Sequence, residues 1–187
     1  GRDEATPELA RIHRLIATDE GRTAMMKVVG IRAEEELHVW FRRRDETSPN
    51  KKGWPRQHFW ARISRATAFD PAKTTPGTAT VNVSDPALAA KIDGATIKPT
   101  EGRKALSIPL QAEAYGVQPR SGLIPGLFVL RIPEMQAAYL VAEENQRLVF
   151  YYRLVAQAVV PKDPQALPPL DRLGAALGET AQAFYRR

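Results

Sequence analysis

The stretch 91–116, KIDGATIKPTEGRKALSIPLQAEAYG, carries the strongest fold signal of the chain. Two short β-prone runs, at 95–98 and 105–108, flank a loop that contains Pro, Thr and Gly, which is the pattern of a β-hairpin. Gly94 precedes the first run, where a residue without Cβ lets the chain turn sharply out of a helix-like segment. A proline closes each run, where its missing N–H costs no ladder hydrogen bond. The stretch therefore predicts a hairpin that is entered from a short helix.

Two helices are predicted at the start of the chain. Thr6 and Pro7 are a favourable helix start, and the apolar residues after them recur at intervals of three and four. This first helix is expected to end within 19–21, and a longer amphipathic helix is expected over 22–45 as the backbone of the core. Gly30 lies inside the long helix at a cost of up to about 1 kcal/mol relative to Ala. A close contact with a neighbouring strand or helix would explain this glycine.

Hydrophobic periodicity and proline positions predict the other elements. In chain order these are a helix at 57–68, a turn region at 70–77, a strand at 78–83, a short helix from Pro86 with Ser84 or Asp85 as its cap, strands at 127–132, 137–142 and 147–159, a proline-rich exit at 161–169 and a terminal helix at 170–186. The predicted fold class is α+β. A long N-terminal helix and a second helix pack on a mainly antiparallel sheet of five or six strands, and a helix ends the chain.

Length and composition predict a single domain, 1–187, which is long enough to bury a core. Within it we expect a helical extension at 1–20, a helix-plus-sheet core at 22–160, and a proline-rich linker with the terminal helix at 161–187. No apolar run approaches the 18 residues of a membrane span and no signal-peptide pattern is present, so a cytosolic origin without membrane contact is expected. Cysteine is absent, which excludes disulfides and thiolate metal sites.

Sequence signatures of catalysis are absent. The chain has no Gly-x-Ser-x-Gly, no Walker-type phosphate loop, no His-Glu-x-x-His and no spaced Cys/His set. Glu34 and His38 lie four apart on one helix face, but two ligands are too few to hold a metal, so an ordinary surface pair is the interpretation. His13 and His58 have no acidic or nucleophilic companion nearby in the sequence. No enzymatic activity, catalytic residue, metal or cofactor is therefore expected.

The net charge of +6 and the pI near 9.8 leave three interpretations open. Clustered Lys and Arg can bind nucleic acid, spread basic residues can form a solvated surface, and either can meet an acidic partner. Trp54 and Trp60 fit core anchors or base-stacking platforms. The candidate contacts to DNA or to a partner are Arg42, Arg43, Arg44, Lys51, Lys52 and Arg56.

Two motifs resemble a group of bacteriophage and prophage proteins described as virion morphogenesis or tail-completion proteins. The first is 50–60, NKKGWPRQHFW, and the second lies in 91–116, as Gly-Ala-Thr-Ile-Lys-Pro, a short loop, Lys-Ala-Leu-Ser-Ile-Pro-Leu and Glu-Ala-Tyr-Gly. The resemblance covers roughly 28–160. The matching residues are Gly53, Trp54, Pro55, Phe59, Gly94, Thr96, Ile97, Pro99, Lys104, Ala105, Leu106, Ile108, Pro109, Ala114, Tyr115 and Gly116. Where such proteins often have a second Gly or a His before the hairpin, this chain has Asp93-Gly94-Ala95.

The resemblance implies a structural virion protein of the head–tail neck or of the head-proximal tail end, present in the host cytoplasm before assembly. Members of this group are expected to form rings, often hexamers, beside neck, tail-tube or tail-terminator proteins, with DNA passing through the lumen without sequence readout. The motif residues are mostly turn and core types, which secure a fold rather than a reaction. The alternative is a basic nucleic-acid-binding accessory protein of phage or prophage origin. Ring size, neighbours and the kind of particle stay open.

Overall fold

The computed structural model describes residues 5–48, 52–100 and 102–186. In chain order, the elements of these residues are α1 (Ala5–Ala17), α2 (Asp19–Thr47), α3 (Phe59–Arg65), β1 (Thr67–Thr75), β2 (Thr78–Val83), α4 (Ala87–Asp93), β3 (Ala95–Ile97), β4 (Leu106–Pro109), β5 (Phe128–Ile132), β6 (Ala137–Glu144), β7 (Arg147–Val155), β8 (Ala158–Val160) and α5 (Leu170–Tyr185). Short 3-10 turns occur at Pro119–Ser121 and Pro133–Met135. The α+β class, with a long N-terminal helix and a C-terminal helix, is as predicted.

The strands of the described residues form three antiparallel sheets, whereas the sequence analysis predicted a single sheet of five or six strands. β1 pairs with β2, β3 pairs with β8, and a four-stranded sheet has the order β4-β7-β6-β5. β5 and β4 are therefore the two edges of the largest sheet.

Contacts between residues divide the chain into two compact units. Among the described residues, the first unit contains 5–48, 58–88 and 164–186, and the second contains 52–57 and 89–163. Each unit has its own core. The first buries Phe41 and Ile63 completely, and the second buries Val141 and Tyr152. The single domain with three segments that the sequence analysis describes stays a prediction.

In the first unit, α2 packs along the β1–β2 hairpin. A Cβ on Gly30 would overlap the ring of Phe69 on β1, so the predicted close contact at this glycine is confirmed. The boundary between α1 and α2 lies at Thr18, whose hydroxyl accepts a hydrogen bond of 3.0 Å from the Gly21 N–H. The helix start is thus set by a threonine cap slightly upstream of the predicted 19–21 break.

The segment 57–77 differs from its prediction. His58 adopts a left-handed backbone with φ of 50° and α3 begins only after it, so the helix is shorter than 57–68. The predicted turn region 70–77 belongs largely to β1, which pairs with β2 from Thr67↔Val83 onward. Pro71 is tolerated because the register of this hairpin shifts between Asp70 and Thr75, where ladder hydrogen bonds are interrupted.

The predicted hairpin in 91–116 is wrong, because its two runs do not pair with each other. β3 pairs with β8 and β4 pairs with β7, both antiparallel. Ile97 lies opposite Ala158 and Leu106 lies opposite Val155, so the two runs are one strand interrupted by the excursion 98–105. The predicted strand 147–159 is interrupted at the same level, since β7 ends at Val155 and β8 begins at Ala158.

Candidate interaction surface

The structure brings together the two motifs that the sequence analysis singled out. The ring centroids of Trp54, from the first motif, and Tyr115, from the second, are 5.4 Å apart at an angle of 56°. The side-chain amide of Gln57 donates a hydrogen bond of 3.3 Å to the Tyr115 carbonyl, across 58 positions of the chain. Both motifs therefore contribute to one cluster in the second unit.

Gly116 is required by this cluster. Its φ is 80°, a left-handed conformation that favours glycine, and a Cβ at this position would overlap the Gln57 amide. The sequence analysis missed Gln57, because no local pattern connects a glutamine to a glycine so far along the chain. Gly53 has a φ of 70° with open space around it, so a turn rather than a close contact selects glycine there.

A basic side chain lies over one ring of the aromatic pair. The Lys52 ammonium lies 4.3 Å from the centroid of the Trp54 ring, a cation–π distance. Lys52 and Arg56 are exposed, whereas Trp54 and Tyr115 are half-buried. We call Lys52, Trp54, Arg56, Gln57 and Tyr115 the Trp54–Tyr115 surface. Its chemistry suits an anionic or polar partner that also contacts an aromatic face.

The core of the second unit holds this surface in place. Ala114, next to Tyr115, is buried against Tyr151 and Tyr152. The Tyr152 hydroxyl donates a hydrogen bond of 2.9 Å to the Val117 carbonyl, which fixes the chain just after the second motif. The Tyr151 hydroxyl donates to the Glu144 carboxylate, and this bond raises the pKa of Tyr151 to about 12. Both hydroxyls are thus structural donors.

The strand residues of the second motif take turn and edge positions. Gly94 follows α4 with a φ of 76°, so the predicted sharp exit from a helix is confirmed. The Leu110 N–H donates to the Tyr151 carbonyl at 2.8 Å, and because alternate residues face the partner strand, the N–H position of Pro109 faces the open side. The missing donor of Pro109 therefore costs no ladder bond, as predicted. Thr96 and Ile97 lie in β3, Pro99 follows it, Lys104 and Ala105 precede β4, and Leu106 and Ile108 lie within β4.

The rest of the first motif belongs to the first unit. Phe59 begins α3, and its ring meets Trp60 edge-on at 5.0 Å. Trp60 is buried and stacks on Phe41 at 6.0 Å, which supports its interpretation as a core anchor. Trp54 and Trp60 thus have different surroundings although they are close in sequence.

The predicted basic contacts are divided between the two units. Arg42 and Arg43 are exposed on α2, but the Arg44 guanidinium lies 4.4 Å from the Trp60 ring centroid and donates to the Gln165 carbonyl. Arg44 is therefore engaged in packing. Lys52 and Arg56 lie on the Trp54–Tyr115 surface, and Lys51 lies outside the described residues.

Positive charge is concentrated in the second unit. Its described residues include eleven Lys and Arg against six Asp and Glu, a net charge of +5. The described residues of the first unit include thirteen against twelve, a net charge of +1. The basic character of the chain is therefore a property of the unit that carries Trp54 and Tyr115.

His38 and His58 make structural contacts. His38 lies 3.7 Å from Glu34 and 3.1 Å from the Thr67 carbonyl, which links α2 to the start of β1. The His58 ring contacts Asp45 at 2.7 Å. Across 5–48, 52–100 and 102–186, no group of three His, Cys, Asp or Glu side chains is placed to hold a metal ion. The absence of an enzymatic activity stays a prediction.

Large apolar side chains are exposed at both edges of the four-stranded sheet. On β5, Phe128 and Val129 are 45% and 54% exposed, and on β4 Ile108 is 38% exposed. The sheet order gives neither strand a second neighbour within the described part of the chain. Uncovered edges with apolar side chains are typical sites of strand addition.

No helix within the described ranges is both long and apolar enough to cross a lipid bilayer. Comparison with known proteins gives no match, since no family model, no curated protein and no solved structure is significantly similar to this chain.

Proposed function

We propose that this chain is a structural component of a phage or prophage particle, at the head–tail neck or the head-proximal tail end, where it acts by assembling into a ring. The expected ring is a hexamer that contacts neighbouring neck, tail-tube or tail-terminator proteins, with DNA passing through its lumen without sequence readout. The protein would be in the host cytoplasm before assembly and in the virion afterwards. The proposal begins from the two motifs that resemble virion morphogenesis proteins.

The open edges of the four-stranded sheet carry the proposal. Neither β4 nor β5 has a second neighbouring strand among the described residues, and Ile108, Phe128 and Val129 expose apolar side chains at these edges. Unpaired edge strands with apolar side chains are readily covered by another chain. Each copy in a ring makes two interfaces, and two different open edges on one copy would supply both of them.

The placement of the motif residues is consistent with a scaffold. Gly94 and Gly116 provide left-handed turns, Pro109 ends an edge strand, and Trp54 with Tyr115 joins two distant segments. These contacts organise the second unit around a surface and two open strand edges. Open strand edges of this kind are features that repeated subunit contacts would cover.

Deletion of the coding sequence from its phage or prophage tests this function. Electron microscopy is expected to show filled heads separate from free tails, or tails of irregular length, and expression of the intact chain in trans should restore joined particles. Intact and infectious particles from the deletion strain would contradict the proposal.

Binding to nucleic acid is a second candidate function, favoured by the +5 charge of the second unit and the Trp54–Tyr115 surface. Lysine and arginine contacts to phosphate release counterions, so affinity for DNA would fall steeply as salt increases. Fluorescence anisotropy with single- and double-stranded oligonucleotides over a salt series measures this. Lys52→Ala with Arg56→Ala should weaken binding more than Arg42→Ala with Arg43→Ala. The absence of binding at low salt would remove this candidate.

A further inference from the structure

The two open edges of the four-stranded sheet run in opposite directions. The order β4-β7-β6-β5 contains three antiparallel neighbours, so β5 is antiparallel to β4. A second copy in the same orientation would therefore place its β4 antiparallel to β5 of the first, and the sheet would continue from copy to copy. This contact is heterologous, because two different strands meet, and heterologous contacts are the kind that close rings.

The hydrogen bonds between β4 and β7 determine which backbone groups of β4 face its open side. Leu110 bonds to Tyr151 of β7, and alternation then directs Leu106 and Ile108 toward β7 as well. Ser107 is left with its N–H and C=O on the open side, while Pro109 offers only a carbonyl there. The open edge of β4 is thus complete at Ser107 and lacks one donor at Pro109.

The open side of β5 is fixed from the other end of the sheet. Asn145 and Gln146 both have positive φ, which identifies a two-residue turn closed by the pair Glu144↔Arg147. Backbone groups of successive residues face alternate sides along β6, so the N–H and C=O groups of Val141, Tyr139 and Ala137 face β5. On β5 this leaves the N–H and C=O groups of Val129 and Arg131 on the open side.

The missing donor at Pro109 and the ends of the two strands favour one register. With Val129 opposite Ser107 of the next copy, Arg131 lies opposite Ala105 and all the outward N–H and C=O groups of these residues can pair. A shift by two residues in one direction places Val129 opposite Pro109, and its carbonyl then has no donor. A shift by two in the other direction places Val129 opposite Ala105 and Ser107 opposite Leu127, so that neither meets a residue of the facing strand. A shift by one residue reverses the faces of the strand.

The side chains agree with the selected register. Phe128 lies opposite Ile108, so these two exposed apolar side chains cover each other, and Leu130 lies opposite Leu106. Just beyond the strands, the exposed Glu134 reaches the level of Arg103 and Lys104, which are also exposed. Apolar contact and opposite charge therefore act at the same interface.

We propose that copies of this chain join head to tail through antiparallel pairing of β5 with β4 of the next copy, with Val129 opposite Ser107. The inference rests on the proposed ring function and names the interface that would form the ring. Each copy in the ring would cover both of its open edges in this way.

Disulfide cross-linking of the full chain tests the pairing, because the natural sequence has no cysteine. Residues directly opposite in an antiparallel pair lie about 5.5 Å apart at Cα, within the range of a disulfide. The double variant Ser107→Cys with Val129→Cys is expected to give a ladder of covalent oligomers under mild oxidation, which a reductant returns to monomer. An equimolar mixture of the two single variants should stop at dimers, since each copy then carries one thiol.

The control is Thr96→Cys with Val129→Cys, in which the first thiol lies on the exposed strand β3, and it should give no ladder. Circular dichroism verifies that each variant is folded. The absence of a ladder from a folded Ser107/Val129 double variant would overturn the inference, and so would dimers from Val129→Cys alone, which indicate pairing of β5 with itself. A neck defect without a ladder refutes only the edge pairing, whereas a ladder with normal deletion particles refutes only the neck function.

Discussion

At the scale of single residues, glycine in a helix can have opposite effects according to what surrounds it. Gly30 in α2 lies under the Phe69 ring, whereas Gly174 in α5 has open space at its Cβ position. Alanine has a higher helix propensity than glycine by up to about 1 kcal/mol. Gly174→Ala should therefore raise the free energy of unfolding by about 0.5–1 kcal/mol. Gly30→Ala should lower it by about 1–2 kcal/mol, because overlap with Phe69 outweighs the propensity.

Urea unfolding of both variants measures this difference. A double variant that combines Gly30→Ala with Phe69→Ala should show strong coupling, since the overlap is absent once the ring is removed. Equal stabilisation by the two glycine substitutions would contradict the close approach of α2 and β1.

Asp45 is another residue whose contribution to stability depends on its surroundings. It accepts hydrogen bonds from the Ala61 N–H at 3.1 Å and from the His58 ring at 2.7 Å, and so caps a helix whose N-cap residue supplies no side-chain bond. Burial acts to raise the pKa of Asp45, but the bonds from His58 and Ala61 outweigh it and hold the pKa below its ordinary value of 3.8.

Because the folded-state pKa of Asp45 is depressed, its stabilising contribution is fully present above pH 3.8 and is lost as the pH falls through the folded-state value. Between pH 5 and the acid limit, the stability of Asp45→Asn should fall less steeply than that of the natural chain. Thermal unfolding over a pH series measures the two slopes. Glu46→Gln, at an exposed neighbouring position, is the control and should retain the slope of the natural chain.

At the scale of elements, the end of α2 holds the segment that leads into α5. The indole N–H of Trp40 and the guanidinium of Arg44 both donate to the Gln165 carbonyl, and Arg44 also lies over Trp60. Arg44→Ala should lower the free energy of unfolding by about 2 kcal/mol, through loss of a charged hydrogen bond and a cation–π contact. Arg43→Ala, at an exposed position of the same helix, should change it by less than about 0.5 kcal/mol. Chemical denaturation measures the stability of both variants. Equal stability would contradict this account.

The interrupted strand is the element that local sequence describes least well. β3 and β4 have the composition of two hairpin strands, yet both pair with the β7–β8 run. That run is long and largely apolar, so it offers each short strand more burial than they offer each other. Closing the longer loop costs about 2 kcal/mol more in entropy than closing the short hairpin loop, and the greater apolar burial can offset this cost.

At the scale of the whole molecule, the two units each have a core. A substitution in one core should therefore destabilise mainly the unit that contains it. Phe41, Trp60 and Ile63 are buried in the first unit, and Ala114, Val141 and Tyr152 are buried in the second. Ile63→Ala should increase hydrogen exchange mainly within 58–88 and α2, and Val141→Ala mainly within 89–163, because each removes apolar contacts of one core. Mass spectrometry of peptides locates the exchange. An equal increase across both units in either variant would indicate one cooperative domain, as the sequence analysis predicted.

The sequence by itself determined the features that depend on neighbours a few residues apart. These are the α+β class, the helices to within a few residues, the left-handed Gly94, and the position of Pro109 at a strand end, since helix propensity and φ preference are local properties. It also indicated that Gly30 must meet a neighbour, but not which one.

Tertiary structure alone decided which strands pair, that Trp54 and Tyr115 meet around Gln57, and that Arg44 packs on Trp60 while Arg43 remains exposed. These contacts depend on which of several distant segments gives a strand or side chain the most hydrogen bonds and apolar burial, and local sequence does not contain that information. A residue such as Gln57 contributes no local signal, because the glycine that accommodates its side chain becomes its neighbour only when the second unit has folded.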